Sequence, residues 1–265
     1  MTGISIAIDG PAGTGKSTVA REVARRLRLA YFDTGATYRV ATLWCMREGV
    51  DLNDQDAVAA MAETMNVAMV LDPGNPRVIL EGDDVSSLIR SDTIALTVSK
   101  VATNLEARAA LGQWQREVIA HELDGGFSGG RGVVAEGRDL TTVIAPDADV
   151  RILMTADEEV RVARRAGEGA DAASVREAVL GRDRRDATVV QFHVAADGVT
   201  TIDTTDLTIE EAVQAVIDLV LTMRPDVEPP RFTLEGLDPA GGEAPAEATG
   251  ASSPEPPAAD DSNPA

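Results

Sequence analysis

The sequence predicts an α/β fold built on a parallel sheet, and two observations carry that reading. Strand-like and helix-like segments alternate along residues 1–224, the order produced by strands joined through helical crossovers. A glycine-rich loop, Gly10-Pro11-Ala12-Gly13-Thr14-Gly15-Lys16-Ser17, links the first strand to the first helix with the G-x-x-x-x-G-K-[ST] spacing of a phosphate-binding loop.

Each element has a local warrant. Ile4, Ile6 and Ile8 alternate with small or polar residues, as in a buried strand, and Val19, Val23 and Leu27 recur at helical spacing beside Ala20 and Ala24. Tyr31-Phe32 ends a second strand, and a helix is expected from Thr37 to Arg47. Val67 to Leu71 and Arg77 to Leu80 read as a hairpin around Asp72-Pro73-Gly74-Asn75-Pro76, with Glu81-Gly82-Asp83-Asp84 turning the chain towards Val85. This antiparallel excursion lies within an insert of about residues 62–100. Helical patterning runs from Asp92 to Leu123, and a glycine loop from Gly125 to Gly132 leads to the strand Val133-Val134-Ala135. Val150 to Met154 is a further strand, with a helix starting near Asp157. The last helix opens with a capping box, Thr208 and Glu211, and places Ile209, Val213, Ile217 and Val220 on one face.

Composition narrows the class. With 265 residues and 44% hydrophobic content, the chain can bury one substantial core. Nine of its 13 prolines fall in residues 225–265, where Phe232 is the one aromatic, so this acidic Pro/Ala-rich segment is read as a disordered tail. The net charge is −20, of which the tail carries −8; an acidic body argues against nucleic-acid binding. No apolar run approaches the ~18 residues of a membrane span, and the first residues do not resemble a secretory signal. A lone Cys45, expected in a buried helix position, suits a reducing compartment, and the reading is cytoplasmic. His121 and His193 are too few for a metal cluster and are expected at the surface.

Three sites carry phosphate chemistry. In the first, glycines let backbone N–H groups curl towards phosphate oxygens while the helix N-terminus adds its positive end. Lys16 then reaches the β- and γ-phosphates, and the Ser17 hydroxyl can ligate Mg²⁺, so the chain is expected to bind a nucleoside triphosphate. In the second, Asp33-Thr34-Gly35-Ala36-Thr37-Tyr38-Arg39 follows strand two, where a doubly wound sheet places its ligand crevice. It is either a second phosphate site or a helix N-terminus capped by Asp33 or Thr34. In the third, Glu136-Gly137-Arg138-Asp139 follows another strand; it is suited to phosphate and base recognition, or is a turn with a local ion pair.

With these motifs in order, and with Leu80-Glu81-Gly82-Asp83-Asp84-Val85-Ser86, Ile89-Arg90, Arg182-Asp183 and Asp186, residues 3–222 resemble the bacterial cytidylate kinases. The resemblance implies a P-loop nucleoside monophosphate kinase fold: a parallel core, an inserted antiparallel subdomain and a mobile helical lid at about 157–188. It implies transfer of the ATP γ-phosphoryl group to CMP or dCMP, with Mg²⁺, by a monomer whose partners are small molecules. Gly10 to Thr18 would hold ATP. Thr34, Arg39 and Arg138 would hold the acceptor's phosphate side; Ser99, Arg108 and Asp139 would line cytosine; Arg182 and Asp186 would address the ribose; Tyr38 and Gly137 would also bind substrate. Lys16, Arg138, Arg161, Arg165 and Arg182 would act on the transferring group, with Arg164 and Arg185 completing the lid arginines.

The chain departs from that family's pattern in four places. Val189 stands where an arginine is usual three residues after Asp186, and Gln191-Phe192-His193 replaces a Pro-Leu pair. Thr141-Thr142 stands where a glycine is common, and the segment from Arg165 to Arg182 is short. Two alternatives follow: a weakly active paralogue serving as a nucleotide-binding regulator, or a monophosphate kinase of another base specificity. A regulatory GTPase is disfavoured, since no N-K-x-D motif is present.

Overall fold

The computed structural model describes residues 3–166 and 175–227. The expected tail from residue 228 onward and lid residues 167–174 lie outside the described residues. Strand β1 (Ile4–Asp9) is buried along its whole length. It is joined by β2 (Ala30–Asp33), β6 (Gly132–Gly137), β7 (Val150–Thr155) and β8 (Thr200–Asp203) in an all-parallel sheet of order β2-β6-β1-β7-β8.

Alternation along these strands separates two apolar faces. Ile4, Ile6, Ile8, Val134, Ile152 and Met154 pack against Val19 and Val23 of α1 (Lys16–Leu27) and Val213, Val216 and Val220 of α8 (Ile209–Met223). Ala7, Phe32, Val133 and Ala135 point the other way, onto Ile119 of α5 (Leu105–Asp124). Each large buried side chain contributes roughly 1.5–3 kcal/mol, so this double-sided core holds the strand ends firmly. Because β6 and β7 flank β1, the loops leaving β1 and β6 open into the crevice that such a sheet forms at its carboxyl edge.

The helical side differs from the sequence reading at several points. Helix α2 (Thr34–Arg47) begins at Thr34 rather than Thr37, because the Asp33 carboxylate accepts the Ala36 N–H at 3.0 Å and caps it. The span expected as one helix from Asp92 to Leu123 is two, α4 (Asp92–Ala102) and α5; Asn104 breaks the run and caps α5 by accepting from the Ala107 N–H at 2.9 Å. Helix α3 (Gln55–Thr64) was not anticipated, although Asp54 at its cap was a legible start signal. Ile209 is 60% exposed: it shares the stripe of Val213 and Ile217 but sits in the first turn, where nothing apolar covers it.

The inserted hairpin is present as β3 (Val67–Val70) and β4 (Arg77–Leu80), and Asp83–Asp84, read as part of a turn, adds a short third strand, β5. Val78, Leu80, Val85 and Ile89 press this small sheet onto Ala36 and Val40 of α2. The remaining helices are α6 (Glu158–Arg165) and α7 (Arg182–Asp186). Cys45 is buried, and both histidines are exposed. No helix among the described residues is long and apolar enough to cross a membrane.

Candidate active site

The donor half is a main-chain construction. Helix α1 starts at Lys16 with Gly15 at its cap and no side chain accepting from its first turn, which leaves those N–H groups for a ligand. Gly13 has φ +83°, and a Cβ there would lie 2.6 Å from the Arg161 carbonyl oxygen; only glycine lets the loop run against α6. The loop is tied internally by Thr14 Oγ1, which donates to the Pro11 carbonyl at 3.1 Å. Lys16 Nζ donates to the same carbonyl at 3.4 Å and stands 3.9 Å from a Glu136 oxygen.

Glu136 was quoted in a motif but given no role from the sequence. Its Oε1 accepts the Ser17 hydroxyl at 2.7 Å, and it lies directly opposite Asp33 in the β2–β6 register. Burial, then the charge of Asp33, pushes its carboxyl up despite Lys16. Burial acts on Asp33 in the same sense but is outweighed by the Arg39 and Arg90 guanidiniums, which hold that carboxyl below the usual range. A hydroxyl and two crowded carboxylates are the oxygen donors that a hard divalent cation takes, so the residues fit Mg²⁺. No group of three or more His, Cys, Asp or Glu residues that could hold a metal occurs among the described residues, so such an ion would rely on phosphate and water oxygens as well.

The acceptor half is assembled from side chains. Thr34 Oγ1 donates to the Glu136 carbonyl at 2.8 Å, and a Cβ on Gly137 would lie 2.4 Å from that oxygen, which accounts for the glycine. Arg39 pairs with Asp33 at 2.6 Å, and Arg90 reaches the same carboxylate at 3.3 Å. Arg108 pairs with Asp139 and lies over the Tyr38 ring, 5.3 Å from its centroid. Burial raises the Asp139 carboxyl even though Arg108 opposes it. Ser99 accepts from Arg185 Nε at 3.3 Å.

Arg138 is held on three sides: by Asp183 at 2.7 Å, by Asp186 at 3.1 Å, and by the Phe192 ring, whose centroid lies 4.6 Å from its guanidinium carbon. Arg161 is buried, pairs with Asp183 and donates to the Ala12 carbonyl at 3.0 Å. Arg165 is exposed at the edge of the cleft. Arg164, read as a lid arginine, donates to the Thr204 carbonyl at 2.6 Å and to the Thr14 carbonyl of the glycine loop at 3.5 Å. The Arg182 side chain lies outside the described atoms.

These groups line one open cleft, from Ala12, Lys16 and Ser17 across Thr34, Tyr38, Arg39 and Arg138 to Arg108 and Asp139. Asp33, Asp183 and Phe192 gain no site role from the sequence, because a carboxylate or ring that works by holding an arginine has no spacing signature; Arg90 gains none because its partner Asp33 is placed beside it only by the fold. Thr141, where the family pattern has glycine, is used as well: its N–H and hydroxyl both donate to Asp9 at 2.7 Å, and the Leu140 N–H does so at 3.0 Å. Asp9 thereby ties the strand carrying the glycine loop to the turn carrying Arg138.

A family model described as cytidylate kinase matches residues 6–222. The cytidylate kinase of Streptomyces avermitilis is 40% identical over 220 residues, covering 82% of this chain and 92% of the relative. That of Cutibacterium acnes is 43% identical over 225 residues, covering 83% and 97%.

Proposed function

The chain belongs to the cytidylate kinase family, and on that premise we propose that it transfers the γ-phosphoryl group of ATP to CMP or dCMP, giving CDP or dCDP and ADP. One observation carries the reading: the glycine loop's Lys16 and Ser17 share a continuous cleft with Arg39, Arg138 and the Arg108–Asp139 pair. Two anionic nucleotides brought together in that space need positioning and charge neutralisation, and no covalent nucleophile.

Residues 10–18 cradle the ATP phosphates, with Lys16 meeting the β- and γ-oxygens. Thr34, Tyr38, Arg39, Gly137 and Arg138 hold the monophosphate, whose oxygen attacks the γ-phosphorus as the β–γ bridging oxygen leaves with ADP. Ser99, Arg108 and Asp139 read the cytosine edge, and Asp186 with Arg182 addresses the ribose. Arg161, Arg165 and Arg182 close over the transferring group and exclude water. Ser17, with Glu136 and Asp33 beside it, holds Mg²⁺, which when bound neutralises phosphate charge. The enzyme acts as a monomer in the cytoplasm, within pyrimidine nucleotide metabolism.

The test is ADP release measured with CMP, dCMP, UMP, AMP and GMP. Buried polar groups left unpaired by the wrong base penalise it strongly, so CMP and dCMP are expected to lead. Comparable kcat/KM with AMP would overturn the cytosine reading.

A further inference from the structure

Asp183 lies in α7, far in sequence from both halves of the cleft, yet it is 3% exposed and touches both. Its Oδ1 accepts from Arg138 Nη1 at 2.7 Å and from the Ala12 N–H at 3.2 Å, while Oδ2 accepts from Arg161. Arg161 in turn donates to the Ala12 carbonyl at 3.0 Å, so Ala12 of the glycine loop, the lid arginine and the carboxylate close a ring. Burial alone would raise this carboxyl; the charge of Arg138 and the bonds from Arg161 and Ala12 hold it below its ordinary value.

Two guanidiniums brought this close to one loop repel each other unless an anion sits between them. Among the described residues, Asp183 is the carboxylate paired with both: Asp186 pairs with Arg138, and Asp183 pairs with Arg138 and Arg161. Arg161 also keeps its buried Nε–H without a partner among the described residues, so it remains able to donate to a ligand after binding Asp183.

We propose that Asp183 is a positioning residue: it presets Arg138 and Arg161 on opposite sides of the phosphoryl-transfer point and registers both against the glycine loop. The proposal rests on the cytidylate kinase reading, in which those arginines meet the transferring group. Asp183 itself takes no part in the transfer. Its work is to set the geometry before the nucleotides arrive, so its loss is felt in the transition state and in the exclusion of water, and little in the binding of either nucleotide.

The experiment compares wild type with Asp183→Asn, which keeps the shape but replaces one acceptor oxygen by an amide that opposes a guanidinium. Formation of CDP and release of ADP are measured separately with ATP and CMP, beside thermal melting. The expected result is a kcat lower by about 10²-fold with KM for both nucleotides within about threefold. The ratio of ADP released to CDP formed is expected to rise above one, as misplaced arginines let water take the phosphoryl group, giving ADP and inorganic phosphate. A folded variant with kcat within threefold of wild type, or with slow turnover at a ratio of one, overturns the proposal. Should the Asn variant not fold, Asp183→Glu carries the test, since its longer arm displaces the same arginines; coupled turnover there overturns it equally. Wild type that makes no CDP would overturn the function reading instead.

Discussion

The two halves of the cleft are held by different kinds of bond. The half proposed for the donor consists of consecutive residues, 10–18, which offer backbone N–H groups and one lysine, anchored by the strand before and the helix after. The acceptor half draws Arg39 from α2, Arg108 from α5 and Arg138 from the end of β6, and pins them with carboxylates from β2, from the turn after β6 and from α7. A contiguous loop takes its shape chiefly from its own neighbours in the chain. A network of ion pairs couples every member to its neighbours, so substitutions there should act at a distance.

The largest expected effect tests the donor half alone. Replacing Lys16 by Ala should lower kcat by about 10²–10³ with the fold intact, since one preorganised phosphate donor is removed. CMP binding measured by calorimetry should stay within a few-fold. Loss of CMP affinity comparable to the loss of rate would show that the halves are not independent.

Asp9 is a second tie between the halves, and its carboxyl is raised from 3.8 to about 6, chiefly by burial against three lowering hydrogen bonds from Thr141 and Leu140. The folded chain therefore holds this proton more tightly than the unfolded one. Its contribution is fully present below pH ~4 and is lost as pH rises through ~6, a change of about 3 kcal/mol. Chemical denaturation of wild type and Asp9→Asn across pH 4–7 should show wild type losing stability relative to the variant as pH rises. A pH-independent difference would mean that Asp9 does not titrate in this window.

Within the acceptor half, the arginine missing at Val189 has a neighbour in place: Arg185 reaches Ser99. Arg185→Ala should raise KM for CMP by about 3- to 10-fold, a charge-assisted contact discounted for its exposure, with KM for ATP little changed. Val189→Arg should bring no gain. The opposite pattern, gain at 189 and no loss at 185, would identify a vacant contact. The smallest effect belongs to neither half: removing residues 228–265 should leave melting temperature and activity nearly unchanged, because that composition adds little to a core.

The same contrast explains what could be read in advance. The glycine loop, the alternation of Ile4, Ile6 and Ile8, and the capping box at Thr208 are local patterns, and each has its counterpart in the structure. Strand β8 was missed because Thr-Thr-Ile-Asp at a sheet edge is largely exposed and shows no apolar alternation. The split at Asn104 was missed because apolar periodicity continues across it. Asp183 and Phe192 carry no role in the sequence because their meaning lies in Arg138, which is placed beside them only by the fold. Arg164's contact to Thr204 was not legible for the complementary reason: helical spacing groups it with Arg161 and Arg165, but this partner comes from the turn after β8, forty residues on.

Strand β6 lies between β1 and β2, although residues 34–131 separate it from β2 in the chain. During synthesis the first two strands therefore leave the ribosome without a sheet partner. Both neighbours of β1, first β6 and then β7, are made after residue 131. A nascent chain halted before that point carries the whole glycine loop but has no sheet to hold its shape. Loop closure over this distance must precede any parallel pairing of β1 or β2, so the apolar run of β6, Val133-Val134-Ala135, needs shelter until it inserts.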